Sequence, residues 1–259
     1  MTPASHIVYE QPLNERIRNL LRVEFLLRHI DALRDGESEW ENRNCCDALL
    51  DLLDILQRSD LRSELLKEIE RIRSALSGLA ENPQVDRKRL TEVLDELDQC
   101  RSQLQTRSLP LDRPLADNEL LRALRQRHSI AAGSCSFDLP AWHFWLQRDA
   151  DQRRHDVATW VDSLTPLPRS ITLLLRLLRE SAATSHEVAA NGIYQRSLAG
   201  EESCQLLRIL LPQDAPCYPD ISAGRHRLTI RFMRLGIAGT ERAVGHDDEV
   251  DFLLSRCTL

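Results

Sequence analysis

The spacing of apolar residues changes character about two-thirds of the way along the chain. From about Leu13 to Ser181, leucine, isoleucine and valine recur every three or four positions, which is typical of amphipathic helices. Ser38 followed by Glu41 forms a capping-box pattern, and Asp86 precedes another helical stretch as a candidate N-cap. The predicted helices cover residues 14–33, 61–79, 118–128, 151–163 and 170–181. Two further helices begin at the caps, one at Ser38 and continuing through the leucine-rich stretch 49–56, the other at Asp86 and continuing through 90–104. One more begins at 138–140 after a short extended piece at 134–137.

Beyond Ser181 the helical spacing gives way to short apolar runs separated by glycine, proline and aspartate. Asn191-Gly192 is a turn signal. The runs predict strands at residues 193–198, 204–211, 226–234 and 250–255, and the N-terminal residues 6–10 have the same character. The pattern therefore predicts an α+β chain, with an N-terminal all-helical domain at 11–182 and a C-terminal antiparallel β domain at 183–259. Residues 5–10 are a candidate to join the sheet of that domain.

Composition narrows the possible partners. The 259 residues contain 34 basic and 40 acidic side chains, for a formal net charge of −6, which disfavours a general polyanion binder. The most apolar stretch, residues 171–178, is too short to span a bilayer, so we expect no membrane association. The seven cysteines are odd in number and include no CxxC pair. They predict reduced thiols in a cytoplasmic protein.

The usual motifs of metal-binding and catalytic sites are missing from the sequence. The eight histidines form no HxxxH or HExxH pattern, and Cys45-Cys46 are adjacent rather than spaced as metal ligands usually are. Residues 133–136 do not form the G-x-S-x-G turn of a serine nucleophile, and Cys135 with His143 is more often a packing arrangement than a catalytic pair. We therefore expect no catalytic residue, no metal and no cofactor.

The strongest local anomaly is the predicted strand over residues 225–234. Residues 223–240 contain four arginines and no acid. Strand alternation places Leu228, Ile230 and Phe232 on one face. The opposite face carries Arg225, Arg227, Thr229 and Arg231. This arginine face is interpreted as an anion-binding groove for a partner. The alternative is that Glu249, Asp251 and solvent neutralise it.

Several blocks along the chain resemble those of a known family. RQRHSI at 125–130, continued by CSFDLP at 135–140, resembles a block typical of ZapD, a bacterial cell-division protein associated with the FtsZ ring. Other matching blocks follow the same order, namely PLNE at 12–15, LRSELLKE at 61–68, NGIYQ at 191–195 and YPDIS at 218–222. The resemblance covers the chain from about residue 12 to residue 233.

The resemblance implies a non-enzymatic adaptor. ZapD-like proteins are cytoplasmic homodimers at the division site at midcell, which bind the C-terminal tail of FtsZ and crosslink its filaments. The positively charged pocket of the family corresponds here to Arg227 and Arg231, with Arg58 contributed by the helical domain. Further candidates for partner binding lie in the same run or in other matching blocks, namely Arg225, Arg22, Arg125 and Arg127.

Two alternative functions would use the same arginines. A nucleic-acid-binding module is disfavoured by the acidic balance and by the lack of interleaved surface aromatics, so no nucleic-acid partner is expected. An enzyme acting on phosphate esters, with Arg225, Arg227 and Arg231 as an anion clamp, lacks an identifiable base, nucleophile or metal ligand.

Overall fold

The folded chain divides into two compact units. The computed structural model describes residues 6–107, 110–197, 204–224, 227–236 and 243–259. One unit, here called the β unit, extends from the N-terminus to Arg18 and resumes from Arg176 to Leu259, and the other, the helical unit, is Asn19–Leu175. The domain limits expected from the sequence, 11–182 and 183–259, stay a prediction, because a division of the folded chain does not show that either part folds alone.

The helices form where the sequence places apolar residues at three- and four-residue spacing. Their bounds are α1 Glu15–Leu33, α2 Glu39–Arg58, α3 Leu61–Ser77, α4 Arg87–Thr106, α5 Arg113–Ala116, α6 Glu119–Arg127, α7 Pro140–Leu146, α8 Ala150–Asp162 and α9 Leu167–Glu180. The predicted caps are confirmed. The Ser38 hydroxyl and the Glu41 carboxylate accept from each other's backbone N–H, and Asp86 accepts from the backbone N–H groups of Lys88 and Arg89.

Residues 134–137 correct one detail of the prediction. They form no strand, because the chain winds through consecutive turns before α7. The backbone N–H of Cys135 donates to the Ala132 carbonyl at 3.1 Å, and that of Asp138 donates to the Cys135 carbonyl at 3.1 Å. These local bonds satisfy the backbone groups that a strand would have offered to a neighbour. The short helix α5 was also missed, in a segment expected to be a loop.

The described residues of the β unit form two antiparallel sheets. The strands are β1 His6–Pro12, β2 Thr184–Ala189, β3 Ile193–Ser197, β4 Leu206–Pro212, β5 Tyr218–Ala223, β6 Arg227–Arg234, β7 Val244–Gly245 and β8 Val250–Cys257. One sheet has the order β1-β4-β8-β2, and the other has the order β3-β6-β5 with β7 paired to β6. The N-terminal strand joins the sheet as predicted, since β1 pairs with β4 from His6↔Pro212 to Pro12↔Leu206. The α+β class is thus confirmed.

The two sheets share one apolar core. Phe232 of β6 lies 5.2 Å, centroid to centroid, from Phe252 of β8, and Tyr194 of β3 meets the same Phe252 ring edge-on at 5.2 Å. Leu228 and Ile230 are fully buried in this core. Because β6 presents its apolar residues to the core, the alternate residues of this strand must point outward.

Candidate functional site

The outer face of β6 carries the predicted arginines. Arg227 and Arg231 are exposed, whereas Leu228, Ile230 and Phe232 between and beside them are buried, so the alternation read from the sequence is observed. The strand is central in its sheet, with β3 on one side and β5 on the other. Arg225 lies outside the described residues.

Arg227 is held by a neutral neighbour. Its Nη2 donates to the side-chain Oε1 of Gln195, on β3, at 2.5 Å. This bond orients the guanidinium but leaves its positive charge uncompensated. Within the described ranges, no carboxylate oxygen lies within 4.0 Å of the Arg227 guanidinium nitrogens.

Arg231 lies between an apolar residue and an acid. In the strand register it is opposite Ile193 of β3 and Asp220 of β5, and the Ile193 side chain is 46% exposed. Directly opposite residues of antiparallel strands have their Cβ atoms about 5 Å apart. Nevertheless, no ion pair within 4.0 Å joins Arg231 to Asp220 or to any other acid in the part of the chain that the structure describes.

Asp251 and Glu249, the two acids considered as neutralising groups, form no ion pair with the described arginines of this face. Asp251 lies on β8, in the other sheet, and its Oδ1 is 3.2 Å from Nε2 of His186. Glu249 is exposed just before β8 and forms no ion pair with Arg227 or Arg231. Of the neutralising groups considered from the sequence, these two carboxylates therefore form no ion pair with Arg227 or Arg231, whereas solvent does reach both guanidinium groups.

The arginines of the helical unit are arranged differently. Asp54 of α2 forms ion pairs with two of them. Its Oδ1 is 2.7 Å from Nη2 of Arg125, and its Oδ2 is 3.4 Å from Nη2 of Arg58. Arg125 also donates to the Gln57 side chain at 2.6 Å. Arg58 remains 82% exposed at the end of α2. Arg58 and Arg125 thus share one carboxylate, which partly offsets their charge.

The remaining two candidates are surface residues of helices. Arg127 is exposed and ends α6, and Arg22 is exposed on α1. The structure brings Arg227 and Arg231 together on one strand and joins Arg58 to Arg125 through Asp54. It assigns Arg22 and Arg127 to neither of these groups.

Asp220 is the residue that the sequence analysis missed. It was quoted only as part of a matching block, because the segment over 218–223 was not predicted to be a strand. A proline, an aspartate and a serine in six residues hide the alternation that marks a strand. The available sequence signal was that the polar residues Asp220 and Ser222 alternate with Pro219, Ile221 and Ala223, and the structure shows the two polar residues exposed.

Other kinds of site find no support in the described residues. No group of three or more histidine, cysteine or acidic side chains is arranged to hold a metal ion in that part of the chain. The Cys135 thiol donates to the Ala132 carbonyl at 2.7 Å rather than to a histidine. None of the described helices combines the length and the apolar character needed to cross a membrane.

Comparison with known proteins gives the family. The ZapD family model, described as a cell division protein, matches residues 21–231. The cell division protein ZapD of Methylococcus capsulatus is 38% identical over 255 residues, covering 98% of this chain and 99% of that protein. The ZapD proteins of an Azoarcus species and of Cupriavidus metallidurans are 36% and 38% identical, covering 98% and 97% of this chain and 100% and 99% of theirs.

The chain belongs to the ZapD family. It is therefore a non-enzymatic cell division protein. The matched region reaches from α1 to Arg231 and includes Arg227 and Arg231 of β6. The resemblance inferred from the sequence blocks is confirmed at the level of the family.

Proposed function

We propose that this ZapD-family chain binds the C-terminal tail of FtsZ and, as a homodimer, crosslinks FtsZ filaments in the cytoplasm at the division site. The observation that carries the proposal is the exposed pair Arg227 and Arg231, two guanidinium groups on one face without a described carboxylate within 4.0 Å. Guanidinium groups recognise carboxylates through paired hydrogen bonds. A short flexible tail with acidic side chains supplies such groups.

The two arginines also suit a reversible contact. A flexible tail loses conformational entropy when it is ordered on a surface, so each site should bind with modest affinity. In a dimer the second tail binds at a high effective concentration, because the first contact already holds the filament nearby. Exposed charge pairs are screened by salt, so bundling should weaken as ionic strength rises.

The other candidate arginines form a second, separate part of the proposal. We assign Arg58, Arg22, Arg125 and Arg127 to partner binding by the helical unit, and Arg225 to the β6 face on the sequence alternation alone. Arg58 is the strongest of these, because it is 82% exposed and its ion pair with Asp54 is long, at 3.4 Å. A contact of that length on the surface is readily exchanged for a ligand carboxylate.

Co-sedimentation with polymerised FtsZ tests the proposal. The full chain should pellet with filaments of intact FtsZ and stay in the supernatant with filaments that lack the C-terminal tail. Light scattering of the same samples reports bundling, and sedimentation velocity of the chain alone reports whether it is a dimer. Pelleting that does not depend on the tail would contradict the proposal.

A further inference from the structure

Two cross-strand pairs stand side by side on the outer face of β5 and β6. Asp220 is opposite Arg231, and Ser222 is opposite Thr229. The four side chains line one small depression of about 230 Å³. An anion, a cation and two hydroxyl groups therefore meet within one shallow site.

The two charges of this depression do not neutralise each other directly. Asp220 and Arg231 are both exposed, and no ion pair within 4.0 Å joins them. Among the described residues, neither side chain has another hydrogen-bond or ion-pair partner. If Asp220 served only to shield Arg231, the two groups would be expected in contact, because opposite charges directly across a strand pair attract each other.

We propose that this depression binds a peptide segment that carries both an acidic and a basic side chain. Arg231 pairs with the acidic side chain and Asp220 with the basic one, and the hydroxyls of Ser222 and Thr229 bond to the peptide between them. In an extended peptide, side chains two positions apart lie on the same face about 7 Å apart, and the length of the arginine side chain lets the cross-strand pair, with Cβ atoms about 5 Å apart, reach both. Asp220 is thereby a specificity-determining residue.

The selectivity comes from repulsion as well as attraction. A ligand with only negative charges, such as a polyglutamate or a nucleic-acid backbone, gains the contact with Arg231 but meets the carboxylate of Asp220 beside it. Specific sites commonly reject competitors by such an unfavourable neighbour. A segment of mixed charge meets no such conflict. The inference rests on the proposed function, because it states which feature of the FtsZ tail the β6 face recognises.

Binding of labelled FtsZ tail peptides to the full chain tests this inference. Asp220→Asn should weaken binding of the natural tail about two- to fivefold, which is the range for an exposed charge pair. For a tail whose lysines and arginines are replaced by glutamine, the same substitution should cause no loss. For a polyglutamate peptide, Asp220→Asn should bind more tightly than the natural protein. The matched control, Asp214→Asn, removes an exposed carboxylate from the turn between β4 and β5 and should change none of these affinities.

The outcomes separate the two proposals. If the natural protein does not bind the natural tail, the proposed function fails and this inference fails with it. In a second case the tail binds, but Asp220→Asn weakens binding of the natural tail and of the glutamine-substituted tail equally, or weakens neither. Either result would overturn only the role of Asp220. A gain in affinity for all three peptides would show that Asp220 merely repels anions, which also overturns the inference.

Discussion

Arg231 differs from most arginines of the helical unit in its sequence neighbourhood. Arginines on helices are often paired with an acid three or four positions away, as Arg28 is with Glu24 and Arg113 with Asp117. On β6 the residues that share the outer face are two positions apart, and none of them is acidic. The sequence was therefore sufficient to predict that these arginines lack local partners. It could not predict Asp220, whose position opposite Arg231 depends on the register of two strands.

Arg153 provides a prediction about stability at the scale of one residue. Its side chain is 7% exposed and donates to the Asn42 side chain and to the backbone carbonyls of Leu146, Arg148 and Glu37. A lysine cannot reproduce this fork of donors, so buried carbonyl groups would be left unpaired. Arg153→Lys should lower the free energy of unfolding by about 1–3 kcal/mol, measured by urea denaturation.

The neighbouring arginine offers a matched control for this change. Arg154 pairs with Glu37 and Asp151 on the surface, where ion pairs contribute little. Arg154→Lys should change the free energy of unfolding by less than about 0.5 kcal/mol. Equal effects of the two substitutions would contradict the role assigned to Arg153.

Two buried thiols predict a dependence of stability on pH. Burial raises the pKa of Cys45 and of Cys257 from the ordinary value of 9.0 to about 11. Between these values the unfolded chain releases thiol protons that the folded chain retains, so stability falls as the pH rises from 9 towards 11. At pH 10 the loss should be about 1 kcal/mol for each thiol, measured by urea denaturation across this range.

Removing a buried thiol isolates its share of this dependence. Cys45→Ala should make the decline in stability between pH 9 and pH 11 shallower, whatever its effect at neutral pH. Cys135→Ala, at a partly exposed cysteine, is the control and should leave the decline as it is in the natural protein. If the decline is the same in all three proteins, the Cys45 thiol is not held protonated by burial.

At the scale of elements, the long helices and the strands with apolar runs were predicted, including the edge strands β1 and β3, whereas the polar edge strands β2 and β5 were not. The long helices are predicted by their apolar spacing and by caps such as Ser38. Strands β4, β6 and β8 are predicted by runs of apolar residues, which the structure buries. Strands β2 and β5 lie at sheet edges, where one side of the ladder is unpaired and the sequence is polar. Such strands form because the adjacent strand of the sheet supplies their backbone hydrogen bonds. The residue pattern within the strand itself does not predict this pairing.

The turn between β2 and β3 provides a prediction about an element. Asn191 and Gly192, predicted as a turn, have φ values of 50° and 66°, the left-handed conformation that tight hairpin turns require. A Cβ on Gly192 would lie 1.7 Å from the carbonyl oxygen of His246, so the backbone would have to move. Gly192→Ala should therefore lower the free energy of unfolding by at least about 2 kcal/mol, measured by urea denaturation.

Gly224 is the control for this substitution. A Cβ at Gly224 meets no described atom within 4 Å, so Gly224→Ala should leave stability within about 0.5 kcal/mol of the natural protein. A Gly192→Ala protein as stable as the Gly224→Ala protein would show that the turn does not require glycine.

At the scale of the whole molecule, the family and the general architecture were predictable, whereas the chemistry of the binding face was only partly so. Blocks spread from residue 12 to residue 233 identified the family, and the change from helical to strand spacing identified the fold class. The entry of the N-terminal strand into the C-terminal sheet was predicted from its strand-like pattern, and the pairing of β1 with β4 confirms it. The cross-strand neighbours of Arg231 and the attachment of Arg58 and Arg125 to Asp54 depend on three-dimensional contacts that single-sequence patterns do not contain.

The account as a whole depends on the exposed guanidinium group of Arg231 binding a carboxylate of FtsZ. The most direct measurement is bundling of polymerised FtsZ by Arg231→Glu, recorded by light scattering and by co-sedimentation beside Arg89→Glu, the same charge reversal on an exposed arginine of α4. Arg231→Glu should reduce affinity for the tail at least about tenfold and abolish bundling while the protein stays folded and dimeric, because an ion pair is replaced by repulsion. Arg89→Glu should bundle as the natural protein does. Undiminished bundling by Arg231→Glu would contradict the account.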